Sequence, residues 1–308
     1  MNYPADQIIL TNGGLEGLYK ILLAAQLMNR AQTELIFPAP GFTPVIAQAD
    51  LLHIPVISVQ TKGNTGYCLT ADDLKRTLKK KNETVSVLYT TPANNPTSTV
   101  YNGKTYSELL HAFINLRPNG IIIADIAYLD MIDDARANKI IRCIKDKSVN
   151  QSVVVLLSMS KIFGYPHLRC AALYTADPKQ YDLFFKLNQT MNASLPGPME
   201  LEAFALWNFI NKRTRIKMYN LFRSRQKKLI IRFKTINEER IKNNLPPLID
   251  EKFIYTDIPL YIYAKLTPQT AFLDFFIETG LGGVPGTTFG DNEKENMIRF
   301  AVGTEAII

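Results

Sequence analysis

Short apolar runs recur through the first half of this chain, at Glu34 to Phe37, Val85 to Tyr89, Ile121 to Ala124, Val153 to Leu157 and Cys170 to Tyr174. Several carry no alternation of polar and apolar residues. A strand with one face in water alternates, so a strand that does not must be covered on both faces. Between the runs lie helical patterns. One spans Leu15 to Asn29, with Leu15, Leu18, Leu22 and Ala25 on one face, and another starts at Thr105, where Thr105 and Glu108 form a Thr-x-x-Glu capping box. Strand and helix alternating from Ile8 onward predict an α/β fold, a mostly parallel sheet covered by helices.

After Pro196 the pattern changes to long helices that run to about Asn243, and Pro246-Pro247 then marks a boundary. Beyond it a strand over Phe253 to Leu266, a helix over Pro268 to Glu278 and a strand over Met297 to Val302 predict a smaller α+β lobe. The expected organisation is a large domain over residues 1–210, connecting helices over 211–245 and a small C-terminal domain over 246–308. With 46% apolar and 20% charged residues in 308, the chain can bury a sizeable core. No apolar stretch approaches the ~20 residues of a membrane helix, and the N-terminus carries no basic leader or cleavable apolar segment, so a soluble cytoplasmic protein is expected.

The three cysteines, Cys68, Cys143 and Cys170, lack metal-ligand spacing and read as reduced thiols in packed positions. A formal charge of +7 is compatible with nucleic-acid binding, but the dense stretches (Lys75-Arg76 through Lys79-Lys80-Lys81, and Arg213 through Lys234) have apolar residues at helical spacing. They read as solvated faces of amphipathic helices, and no nucleic-acid partner is expected.

Special residues gather just past the C-terminal ends of the strands, where open α/β sheets place their ligands. Ser158-Met159-Ser160-Lys161 follows a buried strand, so a lysine emerges directly from the sheet, a position that, taken alone, more often holds an ordinary surface lysine. Asp125 closes an apolar strand, where a carboxylate needs either a cationic partner or a helix to cap. Gly13-Gly14 opens a helix whose amides near Gly14 and Leu15 suit an anion, and is otherwise a tight turn. Arg299 inside a strand is costly unless it grips a ligand.

The stretch Ser158-x-Ser160-Lys161-x-Phe163-Gly164-x-x-x-Leu168-Arg169 resembles the lysine motif of the class I/II aminotransferases, pyridoxal-phosphate enzymes of fold type I in the aspartate aminotransferase-like superfamily. The resemblance covers nearly the whole chain, in the family's order. Thr11-Asn12-Gly13-Gly14-Leu15-Glu16 is similar to its glycine turn, Pro38-Ala39-Pro40-Gly41-Phe42 to its proline and aromatic segment, and Pro92 through Thr97 to its Asn-Pro-Thr signature. Asp125-Ile126-Ala127-Tyr128 resembles its Asp-x-x-Tyr, and Val284-Pro285-Gly286-x-x-Phe289-Gly290 with Ile298-Arg299-Phe300 resembles the segment of its substrate-carboxylate arginine.

The resemblance implies pyridoxal phosphate as cofactor, no metal, and Lys161 as the Schiff-base lysine and proton carrier. It implies a phosphate site of Gly13, Gly14, Leu15, Ser158 and Arg169, with Ser160 also among the cofactor-binding residues. It further implies Asp125 at the ring nitrogen, Asn95 and Tyr128 at the phenolic oxygen and Phe42 against the ring, although Asn95 could be only a turn former and Phe42 only packing. Arg299, with Asn95 beside it, would hold the substrate carboxylate. Amino-group transfer between an amino acid and a 2-oxo acid, in a homodimer, is the implied activity. A lyase or cyclase on the same scaffold, or a noncatalytic module, would share these residues. The chain departs from the pattern at Ser98, where glycine is preferred, at Ile126, where glutamate is common, and at Ala171, near a usual glycine; His167 is unusual before Leu168-Arg169. Only Met1 to Thr11 precede the glycine turn and little follows Arg299, so a chain shortened at both ends is expected.

Overall fold

A computed structural model describes residues 7–28, 33–78, 85–162, 169–192 and 212–303. Its first sheet has seven strands, β1 (Ile8–Thr11), β2 (Thr33–Ala39), β3 (Val56–Gln60), β4 (Val85–Thr90), β5 (Ile121–Asp125), β6 (Val153–Ser158) and β7 (Ala171–Thr175). They lie in the order β1-β7-β6-β5-β4-β2-β3. Only β7 runs against the others, pairing antiparallel with both β6 and β1.

Helices α1 (Gly14–Met28), α2 (Pro44–Leu51), α3 (Ala71–Leu78), α4 (Gly103–Leu116), α5 (Asp134–Ile144), α6 (Met159–Ile162) and α7 (Pro178–Asn192) accompany this sheet. The missing alternation now has its explanation. Along β4, β5 and β6, Val87, Ile121, Ile123, Val154 and Leu156 face the core under Leu18, Ile21, Leu22 and Phe184 of α1 and α7. Their neighbours Leu88, Ile122, Ala124, Val153 and Val155 face a second core under Leu74, Leu109, Phe113 and Ile140. Each fully buried Val, Leu or Ile contributes roughly 1.5–3 kcal/mol relative to exposure, so both faces demand apolar residues.

The second sheet is antiparallel, in the order β10-β11-β9-β8, from β8 (Ile249–Tyr255), β9 (Tyr261–Leu266), β10 (Val284–Pro285) and β11 (Met297–Ala301). Leu229, Phe233 and Ile236 of the long helix α8 (Lys212–Lys242) and Phe275 of α9 (Phe272–Thr279) cover it. Phe300 sits between Phe233 and Phe275, at ring separations of 5.0 and 5.8 Å.

Four expectations are corrected. Helix α4 begins at Gly103, two residues before Thr105: Asn102 is the cap and its side chain accepts from the Thr105 amide at 2.9 Å, while Glu108 pairs with Lys104 at 3.9 Å. Tyr106, at the fourth position of this helix, is fully buried. The run Phe253 to Leu266 is two strands rather than one, because Asp257-Ile258-Pro259 turns the chain and Arg223 binds the carbonyls of Thr256 and Asp257 there. The helix expected from Pro268 starts at Phe272, since Thr267 and Thr270 close a turn with each other's hydroxyls at 2.8 Å. Leu15 is exposed, because it lies in the first turn of α1, ahead of Gly17 where the buried face begins, unlike Leu18, Leu22 and Ala25. Cys68 and Cys170 are buried and Cys143 is half-buried, none of them in a disulfide. No described helix is long and apolar enough to cross a membrane.

Candidate active site

Most of the predicted residues lie just past the ends of β1, β4, β5 and β6, while Phe42 follows β2, Arg169 precedes β7 and Arg299 lies on β11. Register places Thr11 opposite Ala171, and Ala171 opposite Ser158, so the ends of β1 and β6 flank the start of the reversed β7. Asp125 ends β5 one strand further on.

Gly13 follows Thr11 with φ +79°, a left-handed conformation that glycine adopts without strain. A Cβ there would stand 2.8 Å from Cζ of Arg169, so the guanidinium rests directly on the turn. A Cβ on Gly14 would come within 3.7 Å of the Ser158 Oγ. The first-turn amides of the 15-residue α1, at Gly14 and Leu15, are those a helix cannot satisfy internally. Helix start, hydroxyl and guanidinium thus converge on one spot suited to a dianion.

The turn is braced from below. Glu16 accepts from the Asn12 amide at 2.7 Å, from Asn192 at 2.8 Å and from the ammonium of fully buried Lys20, which also donates to Asn188. Burial alone would raise the Glu16 carboxyl, but these donors win and hold it below the usual value.

Asp125 is buried, with Oδ1 accepting from the Ala127 amide at 3.1 Å and Oδ2 from the Tyr89 hydroxyl at 2.9 Å. Burial outweighs both donors and pushes the carboxyl up to about 6. Tyr89 had no sequence signal beyond its place next to a strand end. Its phenol is pushed well above the ordinary value by burial and by Asp125, so it remains a donor.

Ser160 is buried and Lys161 half-buried in the single turn α6 that leaves β6. Phe163, Gly164, His167 and Leu168 of the lysine motif lie outside the described residues.

The Asn-Pro-Thr loop is buried and polar. Asn94 accepts from Thr91 at 2.6 Å and donates to Thr97 at 3.0 Å and to the Pro40 carbonyl at 3.3 Å, which fixes the loop carrying Asn95. Asn95 Oδ1 accepts from Nη1 of Arg299 at 2.8 Å, leaving Nδ2 as the group that can donate. Arg299 lies between the rings of Tyr261, at 4.8 Å, and Phe289, at 4.5 Å, and its buried Nε has no hydrogen-bond partner among the described residues. An orphaned guanidinium donor costs about 1–3 kcal/mol, which an anionic ligand would recover.

Phe42 is half-buried against the core below α1. Its neighbours reach the Arg299 segment: the Gly41 amide donates to the Phe289 carbonyl at 3.0 Å and the Thr43 hydroxyl to that of Thr288 at 3.2 Å. The Tyr128 hydroxyl lies 3.1 Å from that of Tyr261 on β9, and burial pushes its pKa well up, so it too stays protonated.

The model of the family "Aminotransferase class I and II" matches residues 2–304. The chain belongs to this family. Aminotransferases of this class are pyridoxal-phosphate enzymes. Among curated relatives, histidinol-phosphate aminotransferase 1 of Legionella pneumophila (strain Lens) is 26% identical over 207 residues, 66% of this chain and 52% of that protein. A histidinol-phosphate aminotransferase of Chlorobium chlorochromatii is 27% identical over 54% of this chain and 41% of the relative. The chain thus matches about half the length of these relatives or less. The fold is that of the aspartate aminotransferase of Rhizobium meliloti, with a TM-score of 0.79 at 16% identity over 99% of this chain and 74% of the other. BacF of Bacillus subtilis superposes with a TM-score of 0.75 at 18% identity, over 97% of this chain and 74% of that one.

The donor set fits the family's cofactor. Gly13 and Gly14 leave the room beside Arg169 and Ser158 that a side chain would fill, and Asp125 is a buried acid without a cation at hydrogen-bond distance among the described residues.

Proposed function

We propose that the chain is a pyridoxal-phosphate-dependent aminotransferase that moves an amino group between an amino acid and a 2-oxo acid. What carries this reading is the one-rim arrangement of an anion cradle at Gly13, Gly14, Ser158 and Arg169, an acid at Asp125, an amine at Lys161 and the unpartnered Nε of Arg299.

When bound, pyridoxal phosphate supplies an electron sink for the substrate's Cα. The protein's residues do the rest. Gly14, Leu15, Ser158 and Arg169 would bind the phosphate, with Ser160 beside them, and Phe42 would lie against the ring. Asp125 would accept from the ring N–H, and that cation would draw its carboxyl down from about 6 and keep it ionised. Tyr128 and Asn95 would donate to the phenolic oxygen. Arg299, its guanidinium carbon over the rings of Tyr261 and Phe289, would grip the carboxylate and fix which Cα bond faces the reaction. Lys161 would hold the cofactor covalently and, once displaced by the substrate amine, take the Cα proton through Nζ.

The same proposal includes a large domain of residues 1–210, connecting helices over 211–245, a small domain over 246–308, a homodimeric assembly and a cytoplasmic location. Histidinol phosphate is the first amino donor to assay, because curated relatives carry that name.

Purified protein mixed with the cofactor is expected to show a visible absorption band that borohydride abolishes and that Lys161→Ala lacks. A single amino donor should then convert the cofactor to its amine form. Release of product with the aldehyde form kept would instead mark a lyase or cyclase, and no band at all would leave a noncatalytic module.

A further inference from the structure

The hydroxyl of Tyr128, the group expected at the cofactor's phenolic oxygen, already has a neighbour. Tyr261 belongs to the second sheet, is 5% exposed, and brings its own hydroxyl to 3.1 Å from that of Tyr128, with the rings edge to face at 5.6 Å. The other face of its role is Arg299, whose guanidinium lies 4.8 Å from the Tyr261 ring centroid.

Tyr261 is held where it stands. Its carbonyl accepts from Nε2 of buried Gln226 at 2.6 Å and from the hydroxyl of Ser98 at 3.0 Å. Ser98 occupies a left-handed position, φ +54°, and also accepts from the Ile258 amide at 3.1 Å. A strained non-glycine residue is thus retained where its hydroxyl anchors the segment leading into Tyr261.

Tyr128 has a single proton to give. Spent on Tyr261, it would be lost to the cofactor; supplied with a hydrogen bond by Tyr261, it becomes a better donor onward. Resting on the aminotransferase reading, we infer that Tyr261 is a positioning residue: its hydroxyl donates to Tyr128, so that the Tyr128 proton points to the cofactor's phenolic oxygen, while its ring holds the Arg299 guanidinium for the substrate carboxylate. One side chain thereby ties the carboxylate grip to the electronic tuning of the cofactor.

Among the described residues, the ionisable groups that face Tyr128 besides Tyr261 are Tyr89, Asp125 and Arg299, and Tyr261→Phe leaves all three in place. Donation to the phenolic oxygen lowers the proton affinity of the adjoining cofactor–lysine nitrogen, so weakening it raises the pH midpoint of the visible band. Cooperative strengthening of 10–30% of a charge-assisted hydrogen bond corresponds to a rise of about 0.1–0.7 pH units in Tyr261→Phe. The double variant Tyr128→Phe/Tyr261→Phe should titrate with Tyr128→Phe alone, because the hydroxyl acts only through Tyr128. Binding of 2-aminoisobutyrate, an amino acid with no Cα proton, should stay within about twofold in Tyr261→Phe and weaken about 3- to 10-fold in Tyr261→Leu, which loses the ring face.

An unchanged midpoint in Tyr261→Phe, or a further shift in the double variant, would overturn the inference while leaving the aminotransferase reading intact. A wild-type protein without any band would remove both. Thermal melts identify a variant that fails to fold, and in that event Tyr261→Trp, which keeps a ring without the phenol, must show the raised midpoint or the inference falls.

Discussion

At Asp125 a carboxyl with an ordinary value of 3.8 is carried by burial to about 6. It binds its proton more readily folded than unfolded. The stability this adds is complete below about pH 4 and is lost as pH rises through about 6. Between about pH 5 and pH 7.5 the cofactor-free protein should lose about 1–2 kcal/mol through this group, and Asp125→Asn should flatten that slope in urea titrations. The acid itself was legible, since a carboxylate closing an apolar strand stands out in any sequence. Its donor Tyr89 was not, because it lies 36 residues away on a neighbouring strand and only pairing of β4 with β5 brings it across. Arg299 and Asn95, 204 residues apart, show the same limit: motifs named both side chains, and folding alone made them partners.

Elements buried on both faces were the easiest to read, because water leaves no periodic mark on strands such as β4 and β5. The edge strand β3, Val56-Ile57-Ser58-Val59-Gln60, escaped for the opposite reason, being short and partly exposed. Two starts competed for α4, and the one with an asparagine cap and a buried tyrosine in the first turns prevailed. Asn102→Ala should therefore cost about 1 kcal/mol in chemical denaturation, while Thr105→Ala, at a half-buried position inside the first turn, should stay within about 0.5 kcal/mol. The break between β8 and β9 was hidden because β-rich residues continue on both sides of Pro259, and the turn is fixed by Arg223 from a distant helix.

For the molecule as a whole, the seam between the two sheets is polar and specific. Ser98 and Gln226 meet the Ile258 and Tyr261 carbonyls, and Arg136 pairs with Asp257 at 3.0 Å. Ser98→Gly relieves the left-handed strain but strands the Ile258 amide, whereas Ser98→Ala strands it and keeps the strain. Alanine should thus be the more costly change, by about 1 kcal/mol, in equilibrium unfolding. The sequence marked Ser98 only as a departure from a preferred glycine; what the hydroxyl holds depends on a contact 160 residues away.

The reversed strand β7 has one more effect. Because it runs opposite to β6, the residues on either side of the lysine-bearing connection are locked together by the ladder that pairs Ser158 with Ala171. The anion end of the cleft is therefore set by hydrogen bonds of the sheet, whatever the span between them does. A change of length between Lys161 and Arg169 would therefore adjust the reach of the amine while Ser158, at the end of β6, keeps its place.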